Sequence, residues 1–344
     1  MANDPQVPWT DEQWARVNQV IQEEAKRARV AATFLPLYGP LDADADFVRR
    51  QDIYYPTPTA ERNAADIAAN NAQQAYRRAV EAEDDAGALA AEDRFLEAEA
   101  SFRRETLGID DRDTMRLATL QVIVPVRNAQ MADPELASAL ALFRRAANVV
   151  ARLEDAIVFR GLEPNPNRAA GGPFAPPGGL TGLPPIWRIT GALAARGLWT
   201  ARPGADWSIR IAGATVEERA HHLVGAISRA IGRLEQHGHF GPFAVVLGQE
   251  LFAVAQTPER GSLVLPQDRI IPFLGGGPLL RSSTLSDPAG VVVALGGAPI
   301  ELVVATDMNL QFLQVSADPV FLFRISEKIA LRIRERAVVQ LALA

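Results

Sequence analysis

The side chains best suited to chemistry are the four histidines, His221, His222, His237 and His239. Imidazoles act as metal ligands and as general bases near neutral pH. His237-Gly238-His239 is the tightest grouping and could offer two ring nitrogens to a metal. A metal site wants further ligands, such as a histidine or carboxylate at helical i, i+4 spacing. None stands there, and Gly238 marks a helix end. No metal centre is expected, and hydrolysis through these histidines is the weakest of the functional readings.

Glu154 and Asp155 are the next candidates. Neighbours on a helix point about 100° apart, so these carboxylates do not face one substrate as a catalytic pair. A structural ion pair or a hinge is expected instead. Gly275-Gly276-Gly277 runs into Pro278 rather than into a helix with a lysine, which argues against a phosphate loop. The chain has no cysteine, which removes thiolate catalysis, disulfides and cysteine-held metals. No nucleophile elbow, nucleotide-binding loop or dinucleotide fingerprint occurs. The residues point to no catalytic group and to no cofactor.

The chain that must carry these residues is organised around Met131 to Gly161. Asp133 suits an N-cap and Pro134 the first helical position. Leu136, Leu140, Phe143, Ala147, Val150, Leu153 and Ile157 then trace one face of a single helix, and Gly161 stops it. Its length of roughly 40 Å makes it a spine with sheet domains on both sides. Upstream, Thr10 and Gln13 form a capping box. The helix they open carries Trp14, Val17, Ile21 and Ala25 on one side and Gln19, Glu23, Lys26 and Arg27 on the other, with Trp9 stapling its start.

Phe34 to Tyr38 reads as a strand closed by Gly39-Pro40, and Gln51 to Pro58 as an extended arm. Thr59 to Glu105 has a helix-forming composition broken at Asp84 to Gly87. It reads as a helical hairpin, either a solvated insertion or a clamp between copies. Thr114 to Arg127 turns to β, with period two from Leu120. Residues 161–204 hold eight prolines and nine glycines, so no regular element should persist there. Ile186 to Ile189 and Trp207 to Ile211 are expected to pair as a small hairpin.

Thr215 caps a helix running to about His237, with Leu223, Ala226, Ile227, Ala230, Ile231 and Leu234 as its buried face. Phe243 to Leu247 is a strand and Gln249 to Ala255 a short helix. Strands follow at Leu279–Ser282, Val291–Leu295, Ile300–Ala305, Leu310–Leu313, Val320–Ile325 and Ile329–Leu341. The last sets Ile329, Leu331 and Ile333 against Arg332, Arg334 and Arg336, the pattern of a half-buried antiparallel strand.

The bulk numbers bound the partners. With 344 residues there is room for two or three cores. A net charge of -6 argues against nucleic acid as a partner. No run of about 18 apolar residues exists, and the first residues lack a signal-peptide pattern, so a cytoplasmic protein without a membrane span is expected.

The order of elements resembles one known family. It shows in the helix opened by Thr10 to Trp14, in Leu153-Glu154-Asp155-Ala156-Ile157-Val158-Phe159-Arg160-Gly161, and in Gly241-Pro242-Phe243-Ala244-Val245-Val246-Leu247. Gly296-Gly297 before a strand and Asp307 to Phe312 complete it. Over roughly residues 7–56, 114–161 and 215–341 the chain is similar to the encapsulin, or linocin-type, shell proteins. Residues 59–112 and 162–214 stand outside the usual pattern.

The resemblance implies an α+β chain with the HK97-like phage major-capsid fold, and it implies a partition. Residues 1–50 would be the N-terminal helix and arm, and 51–113 an extended loop enlarged by the helical insertion. Residues 114–161 would be the peripheral-domain strand and spine. Residues 162–280 would hold the axial domain, and 281–344 the C-terminal strands of both domains. It implies a self-assembling, non-enzymatic icosahedral shell in the bacterial cytoplasm, about 60 copies in its smallest closed form. The shell would enclose a cargo protein, a ferritin-like protein or a dye-decolorising peroxidase, held through a C-terminal targeting peptide. A phage or prophage major capsid protein is the alternative.

The cargo-peptide groove implied here lies between Val17, Ile21, Ala25 and Phe34 on one side and Asp307, Leu310 and Phe312 on the other. The bulky aromatic often found late in the first helix of this family is replaced by Ala25 or Ala28. The basic residue often found after that helix is read as lost, with Ala31 and Ala32 in its place. The tryptophan through which some members bind flavin has no counterpart in Pro125 to Ala132, so no flavin is carried over.

Overall fold

The computed structural model of the chain describes residues 6–54, 67–68, 71–75, 77–79, 82, 87, 90–91, 94, 108–111, 113–165, 172–178, 180, 186–200, 207–258, 264–286, 288–316, 318 and 320–344. The chain divides into two compact units, Met1–Val48 with Met115–Ala344, and Arg49–Thr114. In the smaller unit Asp52–Tyr54 pairs antiparallel with Gly108–Asp110, which closes the excursion at its base. The described residues between 67 and 94 are largely helical. The expected break at Asp84 to Gly87 falls mostly outside the described residues, as do the ends of the predicted arm and hairpin.

The larger unit is built on two five-stranded sheets. The first runs in the order Leu37–Tyr38, Ile300–Val315, Val320–Ile333, Ala118–Arg127 and Trp187–Thr190. All its pairings are antiparallel except that of the edge strand Leu37–Tyr38. Along Ala118–Arg127 every second residue is buried, from Ala118 to Val126, as the period-two reading requires. The N-terminal helix Asp11–Ala28 and the spine helix Ala137–Arg160 pack on each other and against this sheet.

The second sheet runs Ser208–Ile211, Val338–Leu343, Ala289–Ala294, Phe243–Leu247 and Leu279–Arg281. Its central strands, Phe243–Leu247 and Ala289–Ala294, are buried along their whole length, which explains their unbroken apolar sequence. The helix Val216–Gln236 covers it with the side predicted for burial. One continuous core joins both sheets and the helices.

The local chemistry explains the helix ends. Thr10 and Gln13 exchange the two bonds of a capping box, and Trp9 packs on Trp14 with ring centroids 5.0 Å apart, a hydrophobic staple. The spine begins three residues later than the Asp133-Pro134 signal suggests. Leu136 adopts a left-handed conformation with φ 51°, and Asp133 instead accepts the N–H groups of Glu135 and Ala137, each at 3.0 Å. At the other end Gly161 has φ 84°, and a Cβ there would lie 2.3 Å from the Ala195 carbonyl oxygen. Only glycine fits both demands.

Five sequence expectations are corrected. Short strands do form within residues 161–204, where Gly161–Pro164 pairs antiparallel with Phe174–Ala175 and with Ala195–Arg196. The Ile186–Ile189 and Trp207–Ile211 segments do not pair with each other. Trp187–Thr190 joins the first sheet beside Ala118–Arg127, and Ser208–Ile211 joins the second in parallel with Val338–Leu343. The predicted strands at 300–305 and 310–313 are one strand, Ile300–Val315, interrupted by bulges. The long Ile329–Leu341 strand is divided between the two sheets, with the break at residues 334–337. Arg332 is buried rather than half-exposed. Its guanidinium donates to Glu301 at 2.9 and 2.5 Å and lies 4.1 Å from the centre of the Tyr38 ring.

Candidate functional site

The turn that leaves the N-terminal helix is where the chain gathers its buried charge. The helix ends at Ala28, and Arg29 departs in extended conformation while its N–H still bonds Ala25. Val30 then leads into the short 3₁₀ turn Ala31–Thr33. The N–H groups of Val30 and Ala31 point at the Asp155 carboxylate, Val30 at 3.0 Å and Ala31 at 2.7 Å. A carboxylate at the start of a helical turn satisfies donors that have no partner within the turn. Asp155 is thus the anchor of this segment on the spine.

Glu154, one residue earlier, points to the Arg29 guanidinium, with Nε 2.7 Å from Oε2. Arg29 also reaches Glu327 at 2.5 Å and Asp307 at 2.9 Å. One guanidinium therefore ties four elements: the N-terminal helix, the spine and the two long strands. Glu154, Asp155 and Glu327 are buried, while the Asp307 side chain opens to water.

The electrostatics follow from crowding. Burial works against the Arg29 charge, but Glu327, Glu154 and Asp307 outweigh it and raise its pKa. Burial pushes Glu327 well above the ordinary carboxylate range, and the Glu154 charge adds to this. Glu154 is raised by burial against the pull of Arg29. Asp155 is raised by burial and by Glu154, against the backbone bonds that favour its charged form. The geometry provides the structural ion pair expected of Glu154, while Asp155 binds backbone N–H groups.

Arg29 is the residue that sequence reasoning missed. A basic residue does stand directly after the last helical residue, two positions before Ala31. Its signal was present: Glu154-Asp155 on a buried helix face needs a cation, and Arg29 follows the apolar stripe of the first helix.

The predicted groove residues divide into two groups. Val17, Ile21, Ala25 and Leu310 are buried in the chain's own core, as is Phe34, whose ring lies 6.5 Å from that of Phe159. They do not form an open groove wall. Phe312 is half-buried, 5.6 Å from Phe323, and Asp307 is exposed. Gln22 donates to the Met308 carbonyl at 2.7 Å, so the N-terminal helix and the Ile300–Val315 strand meet at a closed seam. Below it lies an aromatic cluster. Trp9 stacks on Phe323 at 5.0 Å, and Phe143 meets Phe323 edge-on at 5.4 Å.

The histidines are not gathered into one centre. His221 and His222 are exposed on the Val216–Gln236 helix. His237 caps the end of that helix, its Nδ1 2.8 Å from the Arg233 carbonyl oxygen. His239 is buried 3.7 Å from Glu335, and burial lowers its pKa against the pull of Glu335. Among the described residues no group of three or more His, Cys, Asp or Glu side chains is placed to hold a metal. Gly277 has a packing role, since a Cβ there would lie 1.9 Å from the Phe243 carbonyl oxygen.

Comparison with known proteins meets this geometry. The family described as "Encapsulating protein for peroxidase" matches residues 195–330. The type 1 encapsulin shell protein EncA of Myxococcus xanthus (strain DK1622) is 26% identical over 329 residues, 95% of this chain and 91% of that protein. The resemblance to the encapsulin family read from the sequence is thereby borne out. The virus-like particle from Pyrococcus furiosus has a similar fold, with a TM-score of 0.58 and 13% identity across 96% of this chain and 99% of that one. A structure from Mycobacterium phage Bobi gives a TM-score of 0.52 at 13% identity, across 93% and 90% of the two chains. The fold is α+β and HK97-like.

Proposed function

We propose that this chain is the self-assembling subunit of an encapsulin-type shell, a closed icosahedral compartment around a cargo protein. The observation that carries the reading is the end-to-end likeness in fold to the subunit of a virus-like particle. The surface supports it. Phe240 and Leu37 leave 64% and 60% of their area in water, and Ile271 and Phe273 are also exposed. Large apolar side chains at such exposure suit contacts with other copies. The strand Leu37–Tyr38 stands at an end of the first sheet with both residues exposed, where a neighbouring copy can cover it.

Repeated contacts under closed symmetry give a finite particle, of about 60 copies in the smallest form. In this reading the chain acts without catalysis, in the bacterial cytoplasm, with no nucleic-acid partner. Residues 51–113 serve as the extended loop, 114–161 as the peripheral-domain strand and spine, 162–280 as the axial domain, and 281–344 as the C-terminal strands of both domains. The cargo, of ferritin-like or peroxidase type, docks by its C-terminal peptide along the seam of Gln22, Asp307 and Phe312. The buried Val17, Ile21, Ala25 and Leu310 hold that seam from beneath.

Electron microscopy of the purified protein tests the reading. Closed, uniformly sized shells are expected, and sheets, tubes or single subunits would refute it. A phage or prophage capsid subunit is the second reading, favoured by the fold shared with the Mycobacterium phage Bobi structure. Mass spectrometry of particles from the native host separates the two: a co-purifying enzyme supports the compartment, and portal and protease proteins support the capsid.

A further inference from the structure

The junction at Arg29 holds more acid than base. Glu154, Asp155, Glu327 and Asp307 surround a single guanidinium. The Glu154 and Glu327 side chains are fully enclosed and converge on the same Arg29 guanidinium, at 2.7 and 2.5 Å. Glu154 Oε1 and Glu327 Oε2 receive no bond from any N–H or O–H group of the described residues. Two ionised carboxylates cannot bond one another, and a buried unpaired charge is far more costly than a shared proton.

We infer that Glu154 and Glu327 share one proton, and that this proton latches the turn after the N-terminal helix to the spine and the sheet. The hydroxyl of one carboxyl donates to the ionised oxygen of the other. Arg29 neutralises the single charge that remains on the pair. When the proton leaves, through the exposed Asp307 mouth of the cluster, two adjacent negative charges face one cation and the latch is weakened. The other charged groups facing the pair are Arg29, Asp307 and Asp155, with Arg152 beyond Asp155. Lys328, beside Glu327 in sequence, is engaged by Asp46 at 2.6 Å.

The sign of the pH effect follows from the raised folded-state pKa of both glutamates. The latched state binds one more proton than the open state, whose carboxylates titrate in water. The latch is at full strength below the ordinary glutamate range and weakens as pH rises through the pair's folded-state titration point. Across that window the opening equilibrium shifts by about tenfold per pH unit, and above it the shift ends. The inference rests on the contacts within one subunit and stands whether or not the chain assembles.

Hydrogen exchange at the Val30 and Ala31 amides, whose N–H groups rest on Asp155, reads the latch. In the full-length protein from pH 5 to 8, their protection factors should fall by about tenfold per pH unit until the pair has titrated. Glu327→Gln supplies a permanent donor in place of the proton and should remove the pair's share of this dependence while keeping the turn protected. Infrared spectroscopy of the parent at pH 7 should show a protonated carboxylic acid that the variant lacks. A parent with no protonated carboxyl at pH 7 would overturn the inference, and so would the same pH slope in parent and variant. If Glu327→Gln does not fold, Glu154→Gln provides the comparison, and the infrared test of the parent requires no variant.

Discussion

Replacing Arg29 with alanine removes the single cation from a cluster of four carboxylates, and the size of the loss can be worked out. Arg29 is largely buried, with 13% of its side chain exposed. Breaking a buried ion pair by removing one partner costs about 3–5 kcal/mol. The cluster has one escape, which is to take up a second proton. At pH 7, holding a proton on a glutamate that titrates near 4.3 when unfolded costs about 2.7 pH units at 1.36 kcal/mol each, or roughly 3.7 kcal/mol. At pH 5 the same proton costs only about 1 kcal/mol.

Arg29→Ala should therefore lose about 4–5 kcal/mol at pH 7 and about 1–2 kcal/mol at pH 5, up to about 1 kcal/mol of each being lost packing of the arginine stem. Guanidinium unfolding of parent and variant at one fixed protein concentration measures both values. A loss below 1 kcal/mol at pH 7, or an equal loss at both pH values, would refute the charge balance drawn for this junction.

Five further substitutions probe other parts of the fold. Thr10→Ala removes the cap acceptor from Gln13 N–H and should cost about 1 kcal/mol, read as a lower unfolding midpoint. Gly277→Ala forces a methyl against the Phe243 carbonyl oxygen and should sharply reduce folded yield, whereas Gly238→Ala meets no atom within 4 Å and bears only the strain of its positive φ. Arg332→Met alone leaves Glu301 buried without its main cation and should cost about 3–5 kcal/mol. Adding Glu301→Leu should recover most of that loss, as chemical denaturation of the single and double variants will show.

The helices were legible because their signals are local. Thr10 with Gln13, Thr215 with Glu218, and Gly161 each act within one turn, and the apolar spacing around them showed which side is buried. The strand boundaries were less so, because pairing is decided at a distance. Nothing near Trp187 or Ser208 reveals that one joins Ala118–Arg127 and the other Val338–Leu343. Alternation likewise gave Arg332 to the solvent face, since period two reports which side a residue points to but not whether Tyr38 and Glu301 cover that side.

The charged junction sits between these cases. Glu154 and Asp155 stood out as paired carboxylates on a helix with no catalytic geometry. Their cation comes from 125 residues earlier and one of their neighbours, Glu327, from the last third of the chain. The groove residues failed for a related reason. An apolar helix face reads the same whether it meets a visiting peptide or the chain's own spine, and here Val17, Ile21 and Ala25 meet the spine.

Sedimentation of the purified chain in mild, dilute buffer addresses the central claim most directly. A subunit with this fold and these exposed apolar side chains should sediment as a closed particle of megadalton mass, of one size, and stay assembled on dilution. A well-folded, monodisperse species at the 37.2 kDa mass of a single chain would contradict it.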